Sequence, residues 1–140
     1  MITYTDSLEG VTVEHLQRGF FVGWPNPPAP ADHYRILTGS SAIGLARLED
    51  GTVVGFITAI SDGVSVAYIP HLEILPAYKG QGLGTELVKR MLAKYRDLYG
   101  IDLVCDVDVQ PFYERLGMKA VVGMVHRNYD RQACTPIESA

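Results

Sequence analysis

A chain of 140 residues is long enough for one domain around one core, and 47% hydrophobic with 20% charged residues is the balance of a globular protein, not a disordered one. A formal net charge of −4 with no basic stripe or tail argues against a nucleic-acid surface. Histidines stand singly at 15, 33, 71 and 126, so no zinc spacing and no metal is expected, and no apolar run is long enough to span a membrane.

The chain opens without a charged-then-apolar leader at Met1-Ile2-Thr3-Tyr4-Thr5, so the expected location is cytoplasmic. Residues 2–5 read as a short strand from their β-branched and aromatic content. Thr12 is placed to cap a helix to about Gly19, with Val13, Leu16 and Phe20 at helical spacing. Phe20, Phe21 and Trp24 lead into a segment with prolines at 25, 27, 28 and 30, which forbid regular structure and predict a stiff, extended loop. A second helix is expected over 31–39, stopped by Gly39. From Ser40 the apolar period becomes two. Ala42–Leu48 and Val53–Ile60 then read as a hairpin around Glu49-Asp50-Gly51.

After a turn at Asp62-Gly63, Val64–Leu75 reads as a long strand. Pro70 inside it removes a ladder donor and marks an edge, a bulge or a break. Residues 82–98 give the clearest helix, with Leu83, Leu87, Val88, Met91, Leu92, Tyr95 and Leu98 on one face and Gly100 ending it. Ile101–Cys105 is the next strand, parallel to the preceding one because a helical crossover joins them. Cys105 reads as a small core residue, and with Cys134 it makes no disulfide framework. Pro111–Leu116 is a short helix closed by Gly117 in a left-handed cap with Met118 behind it. Residues 119–128 read as a last strand and Arg131–Ala140 as a frayed polar tail.

One stretch carries chemistry: Leu72-Glu73-Ile74-Leu75-Pro76-Ala77-Tyr78-Lys79-Gly80-Gln81-Gly82-Leu83-Gly84-Thr85-Glu86-Leu87. A strand runs through a glycine-rich bend into a helix. The first turn of a helix has free N–H groups and the positive end of its dipole, and glycines at 80, 82 and 84 let an anion approach the main chain. By its chemistry the stretch reads as a phosphate cradle, with a flexible glycine-rich connector as the alternative. Thr85-Glu86 after Gly84 does not supply the Lys-Ser or Lys-Thr of a P-loop, and Thr85 stands where a dinucleotide fingerprint needs its third glycine. Ligands in such sheets sit beyond the carboxyl ends of the strands, which places the site near Glu73, Ile74, Asp106 and this loop.

The segment Lys79-Gly80-Gln81-Gly82-Leu83-Gly84 resembles the acetyl-CoA loop of the GNAT superfamily of N-acetyltransferases, Arg/Gln-x-x-Gly-x-Gly/Ala, with lysine in the first place. Pro111-Phe112-Tyr113-Glu114-Arg115-Leu116-Gly117-Met118 is similar to the family's second signature, Phe-Tyr-Glu-Lys-Leu-Gly-Phe. The resemblance implies a single α/β domain over residues 1–140. Its mixed sheet would have about six to seven strands, including a splayed parallel pair, with about four flanking helices. It implies acetyl-CoA as cosubstrate, with pantetheine along the backbone of Leu72 and Ile74. The pyrophosphate would take the amides of Gln81 through Thr85, with Lys79, Gly80 and Phe112 nearby. Asp106 stands where many relatives place a cofactor-contacting asparagine. Tyr113 occupies the position of the family's general acid, or else packs against the cofactor. Glu73 is the candidate base or water positioner, with His71 as the competing base. Phe20, Phe21 and Trp24 stand in the segment that walls the acceptor site, Trp24 being the better pocket candidate and at least one phenylalanine ordinary core. The resemblance leaves an arylalkylamine, a polyamine, an amino acid, an aminoglycoside or a protein amine as acceptor, and the short chain without an added recognition domain points to a small primary amine among them; it also implies a homodimer as an option. The competing readings are a non-catalytic acyl-CoA-binding module and a domain with no ligand.

Overall fold

The structure, a computed structural model, describes residues 1–136. Five strands form one sheet in chain order: β1 (Thr3–Thr5), β2 (Ala42–Arg47), β3 (Val53–Ser61), β4 (Val66–Ile74) and β5 (Gly100–Asp102). The first four are antiparallel neighbours, and β5 lies parallel to β4. The α-helices are α1 (Pro30–Gly39), α2 (Leu83–Lys94) and α3 (Gln110–Glu114). Among the described residues the expected mixed sheet is present, with five strands and three α-helices instead of the six to seven strands and four helices anticipated.

Two expected elements account for the difference. The helix predicted from Thr12 to Gly19 is only a 3-10 turn, Val13–His15. Two turns containing β-branched Val13 and ending on Gly19 at φ 111° make a poor nucleus. Leu16 instead forms an isolated bridge with Val53 and buries its side chain, so core packing outweighs the weak helical periodicity. The strand predicted over 119–128 does not form. Among the described residues, no backbone group from 119 to 127 has a backbone hydrogen-bond partner. Smaller shifts follow from local chemistry. Helix α2 stops at Lys94, and Gly100 opens β5 instead of ending the helix. The tail is not frayed through its first part, because Gln132 Oε1 accepts from Asn26 N and the Cys134 carbonyl accepts from Arg35. The remainder of the predicted tail, 137–140, lies outside the described residues.

The sheet has two covered faces. On one, Gly44, Gly55, Ile57 and Ile74 meet α2: a Cβ at Gly44 would lie 3.3 Å from Leu87, and one at Gly55 would strike Ile74 at 2.7 Å. Leu83, Leu87, Val88 and Met91 of α2 are buried here. Each such side chain stabilises by about 1.5–3 kcal/mol, enough to hold a helix whose entry is rich in glycine. On the other face Phe56 meets Phe20 and Phe21 from the N-terminal loop and His33 from α1, with ring centroids 5.2, 5.8 and 4.2 Å away.

Two irregularities open the sheet at one end. Thr58 pairs with His71 but Ile60 pairs with Tyr68, so Ile69 and Pro70 together face Ala59. This is the bulge that Pro70 predicts. Strand β5 follows β4 only from Val66↔Gly100 to Tyr68↔Asp102. Beyond Tyr68 the two parallel strands part.

Candidate active site

The bulge ends at Pro70, so the alternation downstream of it is regular. His71 and Glu73 face the same way as their cross-strand partners Thr58 and Phe56, into the aromatic cluster. The amide of Leu75 donates to the Val54 carbonyl at 2.9 Å, which sets the hydrogen-bonding parity of the β3–β4 pair. By that parity Leu72 and Ile74 belong to the non-hydrogen-bonded pairs with Ile57 and Gly55. Their backbone N–H and C=O groups therefore point away from β3, toward the gap left by β5.

At the top of β4 the chain turns through Pro76–Tyr78 and enters α2 through two left-handed glycines, Gly80 (φ 78°) and Gly82 (φ 84°, the N-cap). Among the described residues, no N-cap side-chain hydrogen bond closes the start of the helix. The first amide bonded back is that of Glu86, to the Gly82 carbonyl at 3.1 Å. Among the described residues the amides of Gly80, Gln81, Gly82, Leu83, Gly84 and Thr85 have no acceptor, and nothing lies within 4 Å of a Cβ built at Gly80 or Gly82. This open row of donors at a helix N-terminus fits a diphosphate. The Leu83 side chain is buried beneath the row, and Lys79 and Gln81 are exposed beside it. A Cβ at Gly84 would meet the Phe112 ring at 3.6 Å and Ile74 at 3.9 Å, so the second signature packs directly against the first.

Phe112 stacks edge-on against Tyr113 at 4.9 Å. The short helix α3 carries both and ends as expected: Gly117 adopts φ 92°, and Met118 N donates to the Tyr113 carbonyl at 3.1 Å. Burial is the main reason the Tyr113 phenol is pushed up to about 12, with Cys105 and Glu73 adding to it. Tyr113 therefore keeps its proton at any ordinary pH. Burial also raises the Glu73 carboxyl above its usual range, opposed by the Phe21 amide and by Lys79. Phe21 N donates to Glu73 Oε1 at 2.6 Å. Burial lowers His71, whose Nδ1 lies 2.9 Å from Thr58 Oγ1.

Of the expected acceptor wall, Phe20 and Phe21 are core, 7% and 3% exposed, while Trp24 at 36% stands at the surface with its ring 4.9 Å from Phe21 and 6.4 Å from His71. Asp106 is exposed at the start of a 3-10 turn, and its carbonyl accepts from Val109 N. Three contributors escaped the sequence reading. Thr58 is the polar residue in the apolar run of β3, a signal that was available. His33 is 2% exposed against Phe20, Phe21 and Phe56, and its helix gives no sign of this. Cys105 is not simply core: it is only partly buried and adds to the upward shift of Tyr113, while burial with Asp106 and Asp108 raises its own pKa.

Comparison with known proteins supports the same reading. The model of the family described as "Acetyltransferase (GNAT) family" matches residues 11–118. Histone acetyltransferase TAP1 of Glycine max is 31% identical over 110 residues, 71% of this chain and 48% of its own length. GCN5-related N-acetyltransferase 2, chloroplastic, of Arabidopsis thaliana is 30% identical over 119 residues, 71% of this chain and 46% of its own length. The chain spans about half the length of these curated relatives. A crystal structure of a Deinococcus radiodurans R1 protein superposes with a TM-score of 0.93 at 50% identity, covering 97% of this chain and 94% of that one. No helix among the described residues is long and apolar enough to cross a membrane. Since the family match takes in both the amide-lined loop and the Tyr113 helix, the chain belongs to the GNAT family of N-acetyltransferases, whose acetyl donor is acetyl-CoA.

Proposed function

We propose that this protein transfers an acetyl group from acetyl-CoA to the primary amine of a small molecule, with Glu73 as general base and Tyr113 as general acid. The observation that carries the reading is the row of unpaired amides from Gly80 to Thr85, set at the mouth of the gap between β4 and β5. When bound there, acetyl-CoA supplies an acetyl group on a thioester. Residues Gly80 to Thr85, with Lys79, would hold the diphosphate, and the free backbone groups of Leu72 and Ile74 would hold the pantetheine arm. Phe112 supports the loop from below.

The chain's own residues then handle the protons. An attacking amine must be neutral, and a half-buried carboxylate with a raised pKa is a better acceptor for its proton than an exposed one. Glu73 has that environment. The base is assigned to Glu73 over His71 because His71 commits Nδ1 to Thr58 and burial lowers its basicity. Tyr113 holds its proton at the phenol oxygen until about pH 12 and returns one as the thiol leaves. Trp24 and the rigid prolines beyond it form the acceptor side, a wall suited to an amine with an apolar body.

A panel of primary amines assayed for acetyl-CoA-dependent thiol release tests this. Turnover of a small amine, reduced in Glu73 and Tyr113 variants that still bind acetyl-CoA, supports the assignment. Tight acetyl-CoA binding with no product from any amine would replace it with an acyl-CoA-binding module. Turnover only of protein amines would reassign the acceptor.

A further inference from the structure

Thr58 and His71 pair across β3 and β4, and their side-chain hydrogen bond decides which ring nitrogen of His71 carries the proton. Thr58 Oγ1 lies 2.9 Å from His71 Nδ1, and Thr58 is fully buried. Among the described residues its hydroxyl has no other hydrogen-bond partner. Two arrangements are open to such a pair. If Nδ1–H donated to Oγ1, the hydroxyl hydrogen of Thr58 would be left in the core without an acceptor. A buried donor with no partner is costly, whereas a hydroxyl donating to a bare Nδ1 is satisfied. Thr58 is therefore the donor, Nδ1 the acceptor, and the neutral ring carries its proton on Nε2. Burial lowers the His71 pKa, which keeps the ring neutral at neutral pH.

That Nε2–H is free to act. Among the described residues it has no hydrogen-bond partner, and unlike Nε2 of His33 it is not shut off from solvent. The Trp24 ring lies 6.4 Å from the imidazole at a tilt of 40°, and the Phe21 ring meets it edge-on at 6.0 Å. Glu73 stands two residues further on the same face, roughly 6.6 Å along the strand. The groups against the His71 ring, Phe21, Trp24, Phe56 and Thr58, carry no charge. A carboxylate brought to Nε2–H would thus sit near Glu73 with no cation beside it, which is unfavourable in a half-buried apolar site. A neutral oxygen meets no such penalty.

We infer that His71 Nε2–H is a fixed hydrogen-bond donor that selects an acceptor amine carrying a neutral oxygen, a hydroxyl or an amide carbonyl, a short carbon spacer away from its nitrogen. Glu73 takes the nitrogen, His71 takes the oxygen, and Trp24 covers the apolar body. An amine without the oxygen leaves Nε2–H desolvated and unpaired, which is how a polar site rejects an analogue that lacks one group. Thr58 acts through His71 as a positioning residue, since its hydroxyl holds the imidazole in the donating tautomer. The selection depends on the reading of Glu73 as the base, because that role is what brings the amine beside His71.

Nitrogen NMR of the full chain with isotopically labelled histidine rings reads the tautomer at neutral pH without any substrate. The expected His71 signals are a bare Nδ1 and a protonated Nε2. Thr58→Val keeps the shape but cannot donate, so it should release the ring into a mixture of tautomers. A protonated Nδ1 in the wild type overturns the proposal. Phenylethanolamine and phenethylamine, which differ by one hydroxyl, are then titrated into the protein saturated with coenzyme A. Phenylethanolamine should shift the His71 Nε2–H signal and bind about tenfold tighter, the worth of one hydrogen bond. In His71→Phe the two amines should bind alike. Equal affinities in the wild type, or no binding of either amine, overturn the selection by His71. The acetyl-transfer reading fails on a different result, the absence of thiol release across the amine panel. Acetylation of some other amine by a protein that ignores phenylethanolamine would overturn the selection and leave that reading standing.

Discussion

The amide of Phe21 donates to Glu73 Oε1 at 2.6 Å, and Phe21 holds φ 60°, a left-handed conformation uncommon for an aromatic residue. The ring is buried against Trp24, His33, Phe56 and His71, so packing over-determines the backbone that makes this bond. A loop 52 residues away in sequence thereby fixes the orientation of the one carboxylate on the apolar end of β4. Burial raises Glu73 above the free value of 4.5. A carboxyl with a raised folded-state pKa stabilises the fold below its free value, and that contribution is lost as pH rises through the folded value. At neutral pH the ionised Glu73 therefore costs stability in exchange for basicity. Glu73→Gln should raise Tm at neutral pH, since its amide oxygen still accepts from Phe21. The same change should lower kcat by about 10²–10⁴-fold, the usual contribution of a general base. Thermal melting and steady-state kinetics on one preparation check both. A variant that loses activity and also melts lower would make Glu73 a structural group.

Tyr113→Phe should cut kcat by about 10²–10⁴-fold, within the range for a general acid, and leave acetyl-CoA affinity nearly unchanged. Because the phenol stays protonated to about 12, wild-type activity should show no alkaline loss from this residue between neutrality and pH 10. The acid limb should instead follow Glu73, with the rate falling as pH drops through its raised value. Calorimetric binding of acetyl-CoA and a kcat profile against pH check these together. Unchanged turnover in Tyr113→Phe would assign the proton to another donor.

Gly82→Val should abolish acetyl-CoA binding. The position has φ 84° and open space where a side chain would stand over the free amides. A β-branched residue in that conformation also costs about 1–3 kcal/mol, so the loss of binding needs a control. Gly82→Asn supplies it, because asparagine tolerates the left-handed region while still projecting a side chain over the cradle. It should fold like the wild type and still bind acetyl-CoA weakly, as a titration followed by thermal shift would show. Wild-type affinity in both variants would mean the phosphates lie elsewhere.

How far the sequence predicted this site depends on how local the cause is. The open, glycine-rich entry to α2 was legible because Gly80 and Gly82 set its left-handed backbone within one turn of chain. The shared face of His71 and Glu73 was legible because alternation is a local rule, and Pro70 announced the bulge before it. The Phe21–Glu73 bond was not, since two side-by-side apolar residues give no sign that a backbone amide will reach a distant carboxylate. Leu16 was misread for the same reason: helical spacing over two turns yielded to pairing with Val53 and burial in the core. The segment 119–128 has the composition of a strand, but composition cannot say whether a partner lies within the same chain.

His33 supplies the acid-stability prediction. It is buried with Nε2 unpartnered among the described residues, and burial, with a smaller effect from His71, lowers its pKa from 6.5 to about 4. A histidine held neutral in the fold contributes stability above its free value, and that contribution is lost as pH falls from 6.5 toward 4. At 1.36 kcal/mol per pH unit the full loss is about 3 kcal/mol. His71, buried on the neighbouring strand, is lowered too and adds a loss of the same sign. Glu73 works in the opposite direction over the acidic range, because protonating it relieves a buried charge. The wild type should therefore lose Tm steadily between pH 6.5 and 4, less than the two histidines alone would cause. His33→Phe keeps an aromatic ring against Phe20, Phe21 and Phe56 and has nothing to protonate. Its acid limb should be shallower than the wild type's, with the two curves furthest apart near pH 4. Melting curves at intervals across that range measure the difference, and parallel curves for the two proteins would show that His33 does not titrate on unfolding.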